Sequence, residues 1–292
     1  MEVLSEILRS LHVSGSVYFS DVIDAPWSKR FADDERASFH LIRSGQCWLV
    51  TEDCIERVGP GDLVFAGPGQ VHTLTSEHPR RARESFDDST LLLSGYCEFD
   101  HLFRHPLLAA LPKLAVVGAE DLLEHGWLRS TLEQLSREYT SQTPGSEVVV
   151  DKLTEVLIVE LIRVNFGRAE QSGFMRAIYD KRLSAALGLM HESPAKSWTI
   201  NELARNVGLS RAAFARRFKE RIGQTMFEYL TRLRMQKAQD LLRGTRFPMY
   251  RVANEVGYES DLAFAKAFKR LNGETPTQFR KRRTILMSEI RC

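Results

Sequence analysis

Two short blocks of this 292-residue sequence place cations, hydroxyls and small side chains at matching positions. The first runs from Ser210 to Lys219 and the second from Ser260 to Lys269, at an offset of 50 residues. Phe214/Phe218 and Phe264/Phe268 recur at i, i+4, the spacing of one buried helical face. The outward positions are then Arg211, Ala212, Ala215, Arg216 and Lys219 in the first block. In the second they are Asp261, Leu262, Ala265, Lys266 and Lys269. Such faces donate hydrogen bonds and positive charge. The Arg216 guanidinium can donate twice to O6 and N7 of a guanine, worth about 1–3 kcal/mol of discrimination between bases. Alanines at 212, 215 and 265 can only touch a thymine methyl. Asp261 can accept from a cytosine amino group, or sit at the start of its own helix where the dipole favours it. Ser210 and Ser260 stand where a helix N-cap is needed, and the free N–H groups behind them suit a phosphate.

A second set of reactive side chains lies in the first hundred residues: His40, His72, Cys47, Cys54 and Cys97. A catalytic metal usually takes three or four protein ligands. Two histidines fall short of that, and no cysteine spacing completes the set. Three readings stay open: structural or pocket-lining groups, a metal site, and thiol-based sensing. The expectation carried forward is no metal and no cofactor, with His40, Trp48, Phe65 and His72 lining an interior pocket for a small molecule. A two-residue turn at Glu52-Asp53 sets Thr51 opposite Cys54 and Cys47 opposite Val58, which keeps Cys47 and Cys54 too far apart for a disulfide.

The elements that must hold the first set are written twice. Ala204 and Gly208 recur as Ala253 and Gly257, Gly223 as Gly273 and Thr225 as Thr275. A small residue four positions before a turn glycine, then a capped second helix, is the pattern of a helix-turn-helix. Between the copies, Met226 to Arg243 has helical spacing with Leu230, Leu233, Ala238, Leu241 and Leu242 on its apolar side. About 18 residues at 1.5 Å each span roughly 27 Å, close to one duplex turn. A proline at Gln236 is expected to break two-site binding and to spare each half.

Charge is divided as unevenly as the motifs. From Lys181 onward there are 23 Lys and Arg against 10 Asp and Glu, leaving 17 against 28 in the first 180 residues. A basic third on an acidic body points to a polyanionic partner for one domain. Lys219, Arg221, Lys269, Arg270 and the run 280–283 suit phosphates. No secretion signal and no apolar run of about 20 residues is visible, so no membrane partner is expected. Four cysteines make no disulfide framework, which fits a cytoplasmic protein.

Residues 181–283 resemble the DNA-binding domain of AraC/XylS-family bacterial transcription regulators. The second copy, from Val252 to Arg280, carries the family signature in Gly257-Tyr258, Phe264–Phe268–Lys269, Thr275-Pro276 and Phe279-Arg280. The resemblance implies two helix-turn-helix units reading successive major-groove faces of promoter DNA. The implied base readers are Ala212, Ala215 and Arg216, then Asp261, Leu262, Ala265 and Lys266.

The first hundred residues read as short strands: 13–19, 38–42, 47–50, 54–58, 62–66, 71–75 and 91–99, punctuated by glycine and proline. Gly61, then Gly67-Pro68-Gly69-Gln70-Val71-His72, resembles the second cupin motif, with Gly67 where that motif has proline. The first cupin motif is mostly missing. A short helix after Pro106, a strand, and helices over 126–140 and 147–166 follow. In the first, Trp127, Leu128, Leu132, Leu135 and Tyr139 are expected on one side. The second is apolar over so wide an arc that it needs covering on two sides, either by the barrel and the neighbouring helix or, as the family resemblance favours, by a second subunit in a dimer seam.

The expected fold is therefore α+β and multidomain: a cupin-like antiparallel barrel (1–110), a helical dimerisation segment and linker (111–180, with 167–173 as the linker), and an all-α double helix-turn-helix domain (181–292). The expected function is sequence-specific transcription regulation, with an unknown small-molecule or redox effector, a homodimer and, for an activator, RNA polymerase as a further partner. The alternatives are a metal-dependent cupin enzyme carrying a DNA-binding tail, and an architectural protein without sequence preference.

Overall fold

The structure is a computed structural model and describes residues 3–10, 13–31, 36–81, 84–99, 106–109, 111–168 and 173–289. In chain order, α1 (Val3–Ser10) precedes β1 (Ser14–Ile23), β2 (Ser28–Phe31), β3 (Ala37–Ser44), β4 (Cys47–Val50) and β5 (Ile55–Val58). Then come β6 (Leu63–Ala66), β7 (His72–Thr75), β8 (Thr90–Glu98), α2 (Pro106–Ala109) and β9 (Leu114–Val117). The rest is helical: α3 (Ala119–Glu124), α4 (Gly126–Ser141), α5 (Ser146–Arg168), α6 (Gly173–Tyr179), α7 (Lys181–Glu192), α8 (Ile200–Asn206) and α9 (Arg211–Ile222). The last four are α10 (Met226–Gly244), α11 (Met249–Glu255), α12 (Asp261–Asn272) and α13 (Pro276–Glu289).

The strands form two antiparallel sheets, ordered β1-β8-β3-β6-β9 and β2-β7-β4-β5. The expected register of the β4–β5 hairpin holds, with Cys47 opposite Val58 and Thr51 N–H donating to the Cys54 carbonyl. Between the sheets lies a core of Trp27, Ile42, Cys47, Leu49, Val58, Val64, Leu74 and Leu92. Strand alternation turns Phe39, Phe65 and Leu93 to the other face of the larger sheet. There α5 crosses β1. Gly15 permits that crossing, because a Cβ on it would stand 2.6 Å from Thr154 Cγ2 and 2.7 Å from the Tyr96 carbonyl.

One expectation about the helices needs correction. Trp127 does not share the inner side of α4; it is 79% exposed, while Leu128, Leu132 and Leu135 are buried. One residue is 100° of helix, which takes Trp127 off the i, i+4, i+7 stripe that Leu128 starts. The structure also adds β2, α3 and α6, which the sequence pattern does not announce. On α5, Val150, Leu157 and Leu161 are buried, whereas Val148, Val149 and Val156 are exposed.

The chain divides into two compact units: Met1–Leu11 with Leu102–Ala110 and Glu170–Cys292, and His12–His101 with Leu111–Ala169. This differs from boundaries at 110 and 180. The helices α4 and α5 pack on the sheet, while α1 packs on α7 and α2 on α6. Of the expected linker, residues 169–172 lie outside the described residues, and α5 already runs through Arg168.

Candidate DNA-reading faces and sensor site

In the helical unit the repeat is reproduced down to its caps. Ser210 Oγ accepts from the Ala213 N–H at 3.2 Å, and Ser260 Oγ accepts from the Ala263 N–H at 3.4 Å. Gly223 and Gly273 end α9 and α12 with φ of 80° and 75°. Thr225 and Glu228 close a reciprocal capping box at the start of α10, and Thr275 with Gln278 does the same at α13. The turn glycine of the second copy, Gly257, has φ +80°, and a Cβ there would run into the Ala195 carbonyl.

These caps and the buried phenylalanines set the outward faces. Arg211, Ala212, Arg216 and Lys219 are exposed on α9, with Ala215 half-buried; Asp261, Leu262, Lys266 and Lys269 are exposed on α12, with Ala265 half-buried. Leu262 is 65% exposed, an apolar group presented to solvent on the first turn. Ser260 holds the cap of α12 and Asp261 is its first residue, so the carboxylate faces the positive end of the helix dipole. Of the basic groups at the C-terminus, Arg280 donates to the Phe247 carbonyl at 2.7 Å and Arg282 pairs with Glu274 at 3.1 Å. These two hold the fold of the second head. The side chain of Arg283 lies outside the described residues.

Apart from Arg221, sequence spacing overlooks a further basic group. A cleft of about 840 Å³ beside α9 is lined by Arg176, Lys181, Arg182, Arg217 and Arg221 with Tyr179 and Asp180. Asp180 caps α7 and receives Arg217 Nε at 2.6 Å. The available signal was the i, i+4 pair Arg217/Arg221 on the flank of the helix next to the reading face.

In the sheet unit, His40 on β3 and His72 on β7 meet across the interior, Nε2 to Nε2 at 2.9 Å. Both are buried, and the Phe31 ring lies against both. His72 Nδ1 donates to the Gln70 carbonyl at 3.0 Å, because a carbonyl can only accept. Its Nε2 is then the acceptor, His40 Nε2–H the donor, and His40 Nδ1 accepts from the Ser94 hydroxyl at 2.8 Å. The network is complete with both rings neutral. Burial, and for His40 the neighbouring His72, push both below the ordinary histidine range.

The other two expected pocket residues stand elsewhere. Phe65 is on the opposite face of β6 from Val64, which pairs with His40. Trp48 stacks on Phe86 at 5.5 Å and donates Nε1–H to the Glu84 carbonyl, on the outer side of the second sheet. Among the described residues no group of three or more His, Cys, Asp or Glu is placed to hold a metal ion. Burial raises the Cys47 thiol to about 12 and raises Cys97 as well, so neither yields much reactive thiolate.

The buried histidines give the fold a pH dependence of known sign. Each is neutral when folded and titrates near 6.5 when unfolded. The unfolded chain therefore binds more protons below that pH, and stability falls on acidification. His191, half-buried beside the Tyr229 hydroxyl at 2.7 Å, is lowered to about 4 by desolvation and acts in the same direction in the helical unit. Urea denaturation at pH 7.5 and pH 5 should show a loss of up to about 2 kcal/mol for each such histidine. Equal stability at the two pH values would contradict the neutral assignment.

Comparison with known proteins separates an N-terminal from a C-terminal domain. Residues 2–167 match the cupin family model described as Cupin, and residues 203–282 match the helix-turn-helix domain model. The HTH-type transcriptional regulator AlkR of Acinetobacter baylyi is 27% identical over 304 residues, covering 96% of this chain and 99% of that protein. An uncharacterised HTH-type transcriptional regulator of Haemophilus influenzae is 28% identical over 299 residues, covering 96% and 99%. The C-terminal domain of the two-component response regulator yesN of Fusobacterium nucleatum is 31% identical, covering 33% of this chain and 94% of that domain, with a TM-score of 0.32. Among the described residues no helix is long and apolar enough to cross a membrane. With the cupin model matched over residues 2–167, the helix-turn-helix model behind it, and a putative AraC-like transcription regulator of Streptomyces lividans 29% identical over 98% of this chain and 100% of that protein, the chain belongs to the AraC/XylS family of DNA-binding transcription regulators.

Proposed function

We propose that α9 and α12 enter successive major grooves of one promoter duplex, and that the cupin-like unit adjusts this binding in response to an effector in the cytoplasm. The observation that carries the reading is the duplicated exposure on the two helices. Each buries two phenylalanines and presents small and cationic groups on the opposite side. Arg216 is the strongest base reader, by bidentate donation to guanine, and Lys266 stands at the matching place. Lys219, Lys269 and the cleft around Arg217 and Arg221 take backbone phosphates, which set register and salt dependence rather than sequence. The exposed valines of α5 fit a homodimer seam, and an activator so arranged would also touch RNA polymerase.

The test is Arg216→Ala in the full chain, with binding read by fluorescence anisotropy on an operator duplex and a scrambled duplex at equal salt. Operator affinity should fall roughly 5- to 150-fold, the equivalent of about 1–3 kcal/mol, with scrambled binding little changed. Unaltered base preference would remove Arg216 from the reading face. Equal affinity of the native protein for both duplexes would favour an architectural role.

A further inference from the structure

Away from the histidine pair, α3 and α4 fold over the end of β3 and leave a cavity of about 430 Å³. That is within the ~300–1,000 Å³ range of small-molecule sites. Leu41, Ile42, Leu122 and Leu132 give it a buried apolar floor, and Leu123 stands exposed at its mouth. One wall carries Ser136, only 3% exposed, whose Oγ has no hydrogen-bond partner. A buried hydroxyl left unpaired is unfavourable by about 1–3 kcal/mol, so its persistence on a cavity wall needs a reason. Three guanidinium groups line the same cavity. Arg129 is paired with Glu133 at 3.2 Å, whereas Arg43 and Arg137 are exposed and carry no side-chain partner among the described residues. The space is thus apolar below, with an unused hydroxyl on its wall and an excess of positive charge among its lining.

We propose that this cavity is the effector site and that it takes a small amphipathic carboxylic acid. The apolar body lies on the leucine floor. The carboxylate is held by Arg43 and Arg137 and accepts the Ser136 hydroxyl proton in a hydrogen bond. This deepens the sensor reading given above and rests on it only for the word effector, since binding is measurable without DNA. A neutral alcohol of the same length lacks the charge, and an amine of that length meets repulsion from the guanidinium groups.

The full-length protein is titrated calorimetrically with octanoate and 4-butylbenzoate, and with 1-octanol and octylamine for comparison. One acid should bind saturably at one site per chain, at least about tenfold tighter than octanol. The double variant Arg43→Gln/Arg137→Gln, altered only at exposed positions, should lose at least about tenfold for the acid and keep its octanol affinity. Ser136→Ala should weaken the acid as well. Failure of both acids to bind, equal affinity for acid and alcohol, or indifference to the glutamine pair each overturns the proposal. Operator affinity is read on the same samples. Acid binding that leaves it unchanged upholds the cavity as a carboxylate site and rejects the cupin-like unit as the regulator's sensor.

Discussion

Phe268→Ala is expected to destabilise the second helix-turn-helix by about 3–5 kcal/mol and to shorten the DNA footprint to that of a single head. The Phe268 ring is fully buried and meets Phe264 at 5.7 Å and Phe279 at 5.5 Å, both edge-on. It thereby ties the reading helix α12 to α13, inside a core that also holds Met235, Ala238, Leu242, Val252, Ala253 and Val256. Truncation removes the transfer free energy of a phenyl ring and leaves a cavity whose walls come from four helices. Asn272 adds to the loss, because its Nδ2 donates to the Phe268 carbonyl while its Oδ1 accepts from Gln239. A shift of Phe268 backbone loosens that buried amide pair too. The first head has its own phenylalanines and its own caps, so it should keep binding one half-site. The measurement is urea denaturation by circular dichroism, together with nuclease footprinting of the full chain. A loss below about 1 kcal/mol, or a footprint of native length, would mean that α12 does not depend on this ring.

The legibility of that core in the sequence has a physical basis. A turn glycine, a hydroxyl cap and a phenylalanine pair are each fixed by local geometry, so their spacing survives translation into structure. The same holds for the β4–β5 hairpin, where a two-residue turn sets the register. What escaped was set by packing. Ser28–Phe31 reads as a charged, unpatterned stretch and becomes a strand only because β7 offers an edge. Ala119–Glu124 and Gly173–Tyr179 are helices of six and seven residues, too short to show a period. His40 and His72 could be picked out by type, but their meeting depends on how two sheets face each other. Trp48 and Phe65 suit a pocket by type, yet each lies one residue out of phase with the interior, a parity that only the pairing register reveals. Ser136 follows Leu135 with nothing in its spacing to mark it. Its orphan hydroxyl and the cavity beside it exist only once α4 is laid on β3.

Gln236→Pro is expected to destabilise the helical unit by about 3 kcal/mol or more and to abolish two-site binding. Gln236 is 4% exposed near the middle of α10. Proline there removes the amide donor to the Arg232 carbonyl and drives its ring against that carbonyl. The sequence alone suggests a spacer whose breakage spares both heads. The structure makes α10 part of both instead. Its first half buries Met226 and Leu230, packs the Tyr229 ring against Phe218 at 5.9 Å and joins its hydroxyl to His191. Its second half puts Met235, Ala238 and Leu242 into the core with Val252 and Phe264, and Gln239 bonds Asn272 of α12. A kink at 236 cannot open one half without moving the wall of the other. The variant should therefore lose stability and footprint together, where a mere spacer would lose footprint only. Gln236→Ala is the control, since it keeps the helix and removes only the buried amide. Denaturation and footprinting of the two variants side by side separate the cases: native stability with a halved footprint would restore the simple rod, and a native footprint in the proline variant would show that the two heads need no fixed spacing at all.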